Sequence, residues 1–126
     1  MHTMEWATAN GPVTLSLVET ILENPPEFNH NSSTRIELLA SRGGKTVVVH
    51  RWDGETRPVT CWFWPRVVDA IVRSDNTVLV RYRGESPDLD ADSRVLLRST
   101  ATGVELVRAW HGRRADRPDE LRHPTE

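Results

Sequence analysis

The sequence predicts a mainly β domain: a small antiparallel barrel or sandwich of about seven or eight strands, built from consecutive hairpins and with flexible termini. Between residues 34 and 110, short runs rich in Val, Ile and Thr alternate with turn signals at regular spacing. The pair Gly43-Gly44 suits a two-residue hairpin turn, since both central residues of that turn need positive φ. A length of 126 residues is enough for one domain with its own core. We therefore expect a single domain over residues 1–126, ordered from about 13 to 110.

The first predicted hairpin consists of the two strands that flank the Gly-Gly turn. An unbroken register from this turn places Glu37 opposite His50 and Arg35 opposite Trp52 on one face, and aliphatic residues on the other. A close carboxylate would raise the pKa of the histidine. The guanidinium group could stack on the indole ring.

The next predicted strand covers residues 59–64, between Pro58 and Pro65. Proline lacks a backbone donor, so these two residues open and end the strand. Alternation along the strand places Trp62 and Trp64 on the same face. Both faces of the strand are apolar, which indicates that it is covered on both sides.

A second hairpin is predicted from residues 66–73 and 77–83. A three-residue loop with Asn76 in the left-handed conformation gives the cleanest register, in which Asp69 faces Arg81. The same stretch also permits a helix that begins at Pro65, because its apolar residues fall at helical spacing. The β-branched content and the turn that follows favour the strand.

A third hairpin is predicted to join residues 94–100 with residues 104–110. Residues 13–23 alternate well enough for a strand, although their leucines and valine also permit a helix. Residues 111–126 are polar, and we expect them to form a frayed tail.

Charge and composition exclude several classes of function. The net charge of −2 lacks the basic excess of a nucleic-acid binder, although fifteen of the sixteen basic residues are Arg and only Lys45 is Lys. Residues 1–12 have no signal-peptide character, and no run approaches the roughly 20 apolar residues of a membrane helix. The single Cys61 fits a reducing compartment and is expected to be a buried apolar group. The sequence thus predicts a cytoplasmic protein.

Aromatic residues are the feature most specific to function. Three of the eight aromatic side chains lie within the five residues Cys61–Pro65. Aromatic residues are enriched at ligand pockets and partner interfaces, so we predict a non-catalytic binding or protein-interaction module with an aromatic surface or pocket and an arginine rim. The candidate contact residues are Trp52, Trp62, Trp64, Arg35, Arg51 and Arg66. The expected partner is another protein, including a second copy in a homodimer, or a hydrophobic small molecule.

Two other functions stay open. A small barrel could act as an isomerase or cyclase on a hydrophobic substrate, with His50 and Glu37 transferring a proton. A third hypothesis is nucleic-acid binding through the arginine-rich strands, although the net charge makes nucleic acid an unexpected partner. The residues that would form this basic, aromatic face are Arg81, Arg83, Arg94, Arg98 and Arg108 with Tyr82 and Trp110. The sequence predicts no cofactor, no metal site and no membrane association.

Overall fold

A computed structural model describes residues 2–23, 31–58, 67–83, 91–124 and 126. These residues form eight strands in two antiparallel sheets, with two short 3-10 turns near the C-terminus. Sheet A contains β1 (His2–Thr8), β2 (Gly11–Glu23), β3 (Asn31–Arg42) and β4 (Lys45–Pro58). Sheet B contains β5 (Val67–Val72), β6 (Thr77–Arg83), β7 (Ala91–Ser99) and β8 (Val104–Arg113). The predicted mainly β class with consecutive hairpins is confirmed, in the form of a sandwich.

Each sheet is a meander in which strands that follow one another along the chain are neighbours. β4 and β8 are therefore edge strands, and they contact each other along one side of the sandwich, while β1 and β5 meet along the other side. We call the first of these the β4/β8 side.

The core lies between the two sheets and follows the two-residue period of the strands. Alternate residues of β2, β3, β6 and β7 point inward, which is the pattern expected of strands with one buried face. The buried core side chains are Trp6, Val13, Leu15, Leu17, Ile36, Leu38 and Ala40 from sheet A, and Val78, Val80, Tyr82, Val95 and Leu97 from sheet B. Both sheets contribute about equally, so neither is stable as an isolated layer.

Local turn chemistry determines two of the predicted hairpins. Gly43 and Gly44 have φ of 60° and 80°, as the two-residue turn requires. Asn76 has φ of 64° and ends the loop between β5 and β6, whose register is the predicted one with Asp69 opposite Arg81. Both ambiguous segments are strands where they are described, in β2 and β5.

Two of the register shifts in the sheets bear on the site, one in β4 and one in β8. In β4, Leu38 pairs with His50 and Leu39 with Val48, so Val49 is an extra residue. In β8, the register shifts in the same way at Val107, between the residues paired with Leu96 and Leu97. Because the side-chain period of a strand is two, each extra residue reverses which face the following residues occupy.

The C-terminal segment, residues 114–126, differs from the expected frayed tail. β8 continues to Arg113, and the 3-10 turns Arg114–Asp116 and Asp119–Leu121 follow it. Leu121 is fully buried against Leu79 and Leu96 on the outer face of sheet B. This second apolar cluster holds the segment against the sheet.

Candidate functional site

The bulge at Val49 decides which face of β4 carries the histidine of the predicted proton-transfer pair. Up to Val48 the register is the one predicted from the Gly-Gly turn, but beyond the bulge Glu37 lies opposite Arg51 instead of His50. Arg51 donates two hydrogen bonds to the Glu37 carboxylate, at 3.1 and 2.7 Å. The predicted Glu37–His50 pair is therefore wrong, because one extra residue turns His50 to the inner face.

On the inner face, His50 meets a histidine of the other sheet. Its Nε2 lies 2.9 Å from Nε2 of His111, and the two rings are within 7° of parallel with centroids 5.2 Å apart. The centroid separation exceeds the nitrogen separation by about two ring radii, so the rings meet nitrogen to nitrogen. One neutral imidazole must donate and the other accept. Nδ1 of His111 also lies 2.8 Å from Oγ of Ser93, its partner across β7 and β8.

Trp52 adjoins this histidine pair. Its ring centroid lies 5.2 Å from that of His50 and 4.7 Å from that of His111, and it packs against Tyr82 edge to face at 6.1 Å. The Tyr82 hydroxyl donates to Oε2 of Glu19 at 3.3 Å. Trp52 is half-buried and also contacts the core, so it joins the two sheets instead of lying freely on a surface.

Burial lowers the pKa of both histidines. It is the cause of the shift for His50, and for His111 burial and then the charge of His50 lower the pKa to about 4. Both imidazoles are therefore neutral at pH 7, which is the state that an Nε2–Nε2 hydrogen bond needs. A base with a pKa of about 4 is poorly matched to proton abstraction at neutral pH.

The two described arginines of the predicted rim lie on the outer face of sheet A, away from Trp52. Arg35 is opposite Asp53, and its Nε approaches the Asp53 carboxylate at 3.5 Å. Arg51 is bound to Glu37. The predicted stacking of Arg35 on Trp52 is wrong for the same reason as the histidine pair, since the bulge places the two side chains on opposite faces.

Three further predicted contact residues lie outside the described residues, so their grouping stays a prediction. These residues are Trp62, Trp64 and Arg66. Cys61 also lies outside them.

Exposed aliphatic side chains concentrate on the β4/β8 side. Among the described residues, five large hydrophobic side chains are exposed, and four of these belong to β4 and β8: Val47 (40%), Val48 (47%), Leu106 (41%) and Val107 (39%). The fifth, Val72, lies on β5 at the opposite side and is 54% exposed. Exposed apolar side chains on strands that meet at one side of a sandwich are typical of an interaction surface.

A cleft of about 210 Å³ opens at the turn end of the β4/β8 side. Its lining residues are Ala40, Arg42, Lys45, Val47, Thr102, Gly103 and Val104. Within this lining, Arg42 joins sheet A to sheet B by donating to Oγ of Ser99 at 3.1 Å and to the carbonyl of Thr100 at 2.9 Å. The cleft is thus an apolar depression with a basic edge, shared by both sheets.

Two arginines of sheet B, Arg81 and Arg94, do not join Tyr82 in an open basic face. Arg94 is completely buried beneath the C-terminal segment, and the Arg81 side chain is 12% exposed and paired with Asp69. Tyr82 points to the opposite, inner face of the sheet. Leu121, the one large apolar residue among residues 111–126, was the signal in the chain that this segment docks on the sheet.

Among the described residues, no group of three or more His, Cys, Asp or Glu side chains could hold a metal ion. Nor do those residues contain a helix long and apolar enough to cross a membrane. Comparisons with protein-family models, with curated proteins and with solved structures found no match.

Proposed function

We propose that this domain is a non-catalytic binding module that contacts a protein partner through the β4/β8 side of the sandwich. The observation that carries the proposal is that four of the exposed aliphatic side chains lie on β4 and β8, the edge strands of this side. They are Val47 and Val48 on β4 and Leu106 and Val107 on β8. Leaving these groups in water costs free energy that a partner would recover, at about 25 cal/mol for each Å² buried.

The bulges indicate how the partner binds. An edge strand can accept an additional strand only if its outward backbone groups form a regular ladder, and a bulge interrupts that ladder. Both β4 and β8 carry a bulge, at Val49 and at Val107. We therefore expect contact through side chains, with the cleft receiving a side chain of the partner, and not the addition of a strand.

The aromatic contact residues predicted from the sequence lie on β4 or after it in the chain. Trp52 lies on β4, beyond the exposed valines and beside His50 and His111. Trp62 and Trp64 follow β4 in the chain, and their part in binding remains a prediction.

The geometry favours binding over proton transfer. The enzymatic alternative depends on Glu37 and His50, which lie on opposite faces of sheet A. The group that does meet His50 is His111, whose pKa of about 4 makes it a weak base for the Ser93 hydroxyl at neutral pH.

The test is selection of binding peptides from a phage-displayed random library on the full chain. Val48→Asp combined with Val107→Asp places two charges on the β4/β8 side, and Val72→Asp is the matched control on the other side. We expect selected peptides to bind the wild-type chain and the control equally, and the double variant about tenfold or more weakly. Circular dichroism checks that all three chains fold. Failure to enrich any peptide, or equal binding to all three chains, would refute the proposal.

A further inference from the structure

A buried charged cluster lies on the outer face of sheet B, away from the β4/β8 side. Its centre is Arg94, whose side chain is completely buried. Nε and Nη2 of Arg94 donate to Oδ2 of Asp92 at 3.0 and 2.8 Å. Nη1 and Nη2 donate to the two carboxylate oxygens of Glu126 at 2.8 and 2.7 Å. The second contact has the two-pronged geometry in which a guanidinium group recognises a carboxylate.

Two more arginines surround the Glu126 carboxylate. Nη1 of Arg117 lies 2.9 Å from Oε2, and Nη1 of Arg81 lies 3.9 Å from the same oxygen. The backbone N–H of His123 donates to Oε1 at 2.8 Å. Burial alone would raise the pKa of Glu126, but the hydrogen bonds from Arg94 and His123 and the charges of Arg94 and Arg117 lower it to about 2. The carboxylate is held in the manner of a bound ligand.

The cluster needs an anion at this position. Arg81 is neutralised by Asp69, which also lies 3.8 Å from His123. Asp92 forms ion pairs with both Arg94 and Arg117. Without Glu126, three guanidinium groups would face two carboxylates, and the buried guanidinium group of Arg94 would lose one of its two carboxylate partners. A buried cation that loses its partner is strongly destabilising.

The segment that supplies Glu126 is held by the buried Leu121, by ion pairs and by hydrogen bonds from Arg73 and Arg94 to its carbonyls, and not by strand pairing. It consists of two single 3-10 turns, and Leu121 is its buried apolar anchor. Segments of this kind open locally at a lower free energy than the whole fold. Glu126 can therefore leave the arginines while both sheets remain intact.

We propose that Arg81, Arg94 and Arg117 form a carboxylate-binding site on the outer face of sheet B, in which Glu126 is the resident ligand and the carboxylate of an acidic peptide or a small organic acid can replace it. The site is separate from the β4/β8 side. Its test therefore does not depend on the proposed function.

The experiment uses the full chain with Glu126→Ala at pH 7. Trypsin cleavage after Arg122 reports detachment of the C-terminal segment. We expect this cleavage to be about tenfold faster than in the wild type, since a charge-assisted hydrogen-bond network of about 1.4 kcal/mol or more is lost. Glu120→Ala is the matched control, because Glu120 pairs with Arg108 at the surface of the same segment. That control should stay within about twofold of wild type.

Ligand rescue then tests the site itself. Acetate, a tetraglutamate peptide and inorganic phosphate are added to the Glu126→Ala chain, with sodium chloride at equal ionic strength as the reference. We expect saturable protection of Arg122 by acetate or by the peptide, and its loss when Arg117→Gln is added. Protection by acetate alone assigns the site to small acids, and protection by the peptide at lower concentration assigns it to acidic polypeptides.

Three outcomes would overturn the proposal: no protection beyond that of chloride, equal protection with and without Arg117, or stronger protection by phosphate than by either carboxylate. Trypsin cleavage after Arg122 reports only on the C-terminal segment. Circular dichroism and thermal unfolding therefore check that both sheets remain folded. Should the alanine variant fail to fold, Glu126→Gln keeps the side-chain shape, and the same anion titration applies to it with the same readout.

Discussion

Acid should destabilise this fold through the His50–His111 pair. In the unfolded chain His111 takes up a proton near its ordinary pKa of 6.5, whereas in the folded chain burial and the neighbouring His50 lower its pKa to about 4. Between these values the unfolded state binds more protons than the folded state. The free energy of unfolding therefore falls as the pH is lowered from about 6.5 towards 4, and is constant with respect to this group above that range.

The magnitude follows from the size of the shift. A difference of about 2.5 pKa units would correspond to about 3.4 kcal/mol for a fully buried group. His111 keeps one side exposed to water, and solvent screening reduces the effect, so we expect about 1–2 kcal/mol. Its physical origin is first the burial of the His111 ring and then the neighbouring His50, because two Nε2 atoms 2.9 Å apart can share one proton but not hold two.

The measurement is urea denaturation of the wild type and of His111→Gln at several pH values between 7.5 and 4.5. Carboxylates titrate in both chains, so the difference between their unfolding free energies isolates the histidine pair. We expect this difference to shrink by about 1–2 kcal/mol as the pH falls. His2→Gln, on β1 at the other side of the sandwich, is the matched control. If the wild-type and His111→Gln curves run parallel over this range, the histidine pair is not what couples stability to pH.

Three further substitutions test the fold. Leu121→Ala should lower the free energy of unfolding in urea by about 2–4 kcal/mol, or abolish the protection of the C-terminal segment from trypsin. Leu106→Ala, at an exposed position, should lower it by less than about 1 kcal/mol. Equal effects would contradict the docking of that segment. Gly43→Ala should cost about 1–2 kcal/mol of thermal stability because φ is 60°, although nothing crowds the new Cβ, and Gly103→Ala should be near neutral; the reverse order would argue against the turn. Asn76→Ala should cost about 1–2 kcal/mol, because Asn76 combines a positive φ with a hydrogen bond to a β7 carbonyl at 2.9 Å, and a neutral result would be inconsistent with that contact.

Residue patterns within a few positions of each other predicted most of the sheets. The turn glycines and Asn76 fixed two hairpins because their backbone conformations depend on local sterics alone. The loop that ends at Asn76 predicted the register of β5 and β6, which the structure has. β1 escaped prediction, since its seven residues are mostly polar or partly exposed, yet it contributes Trp6, the largest fully buried side chain.

The candidate site was much less predictable than the hairpins. Val47, Val48 and Val49 are chemically identical, so nothing in the sequence shows that one of them is an extra residue or that the partner of Glu37 changes from His50 to Arg51. The histidine pair joins residues 61 positions apart on different sheets. No spacing rule relates such residues, because their approach depends on how the two sheets stack.

The sequence by itself determined the class of the fold, the positions of its turns and which residues of a hairpin share a face. These properties follow from steric and hydrophobic preferences that operate over a few residues. Only the tertiary structure decided the faces beyond the two bulges, the pairing of His50 with His111 and the burial of Arg94 under Glu126. Each of these depends on contacts between distant segments, and their free energy exists only when both sheets and the C-terminal segment are in place.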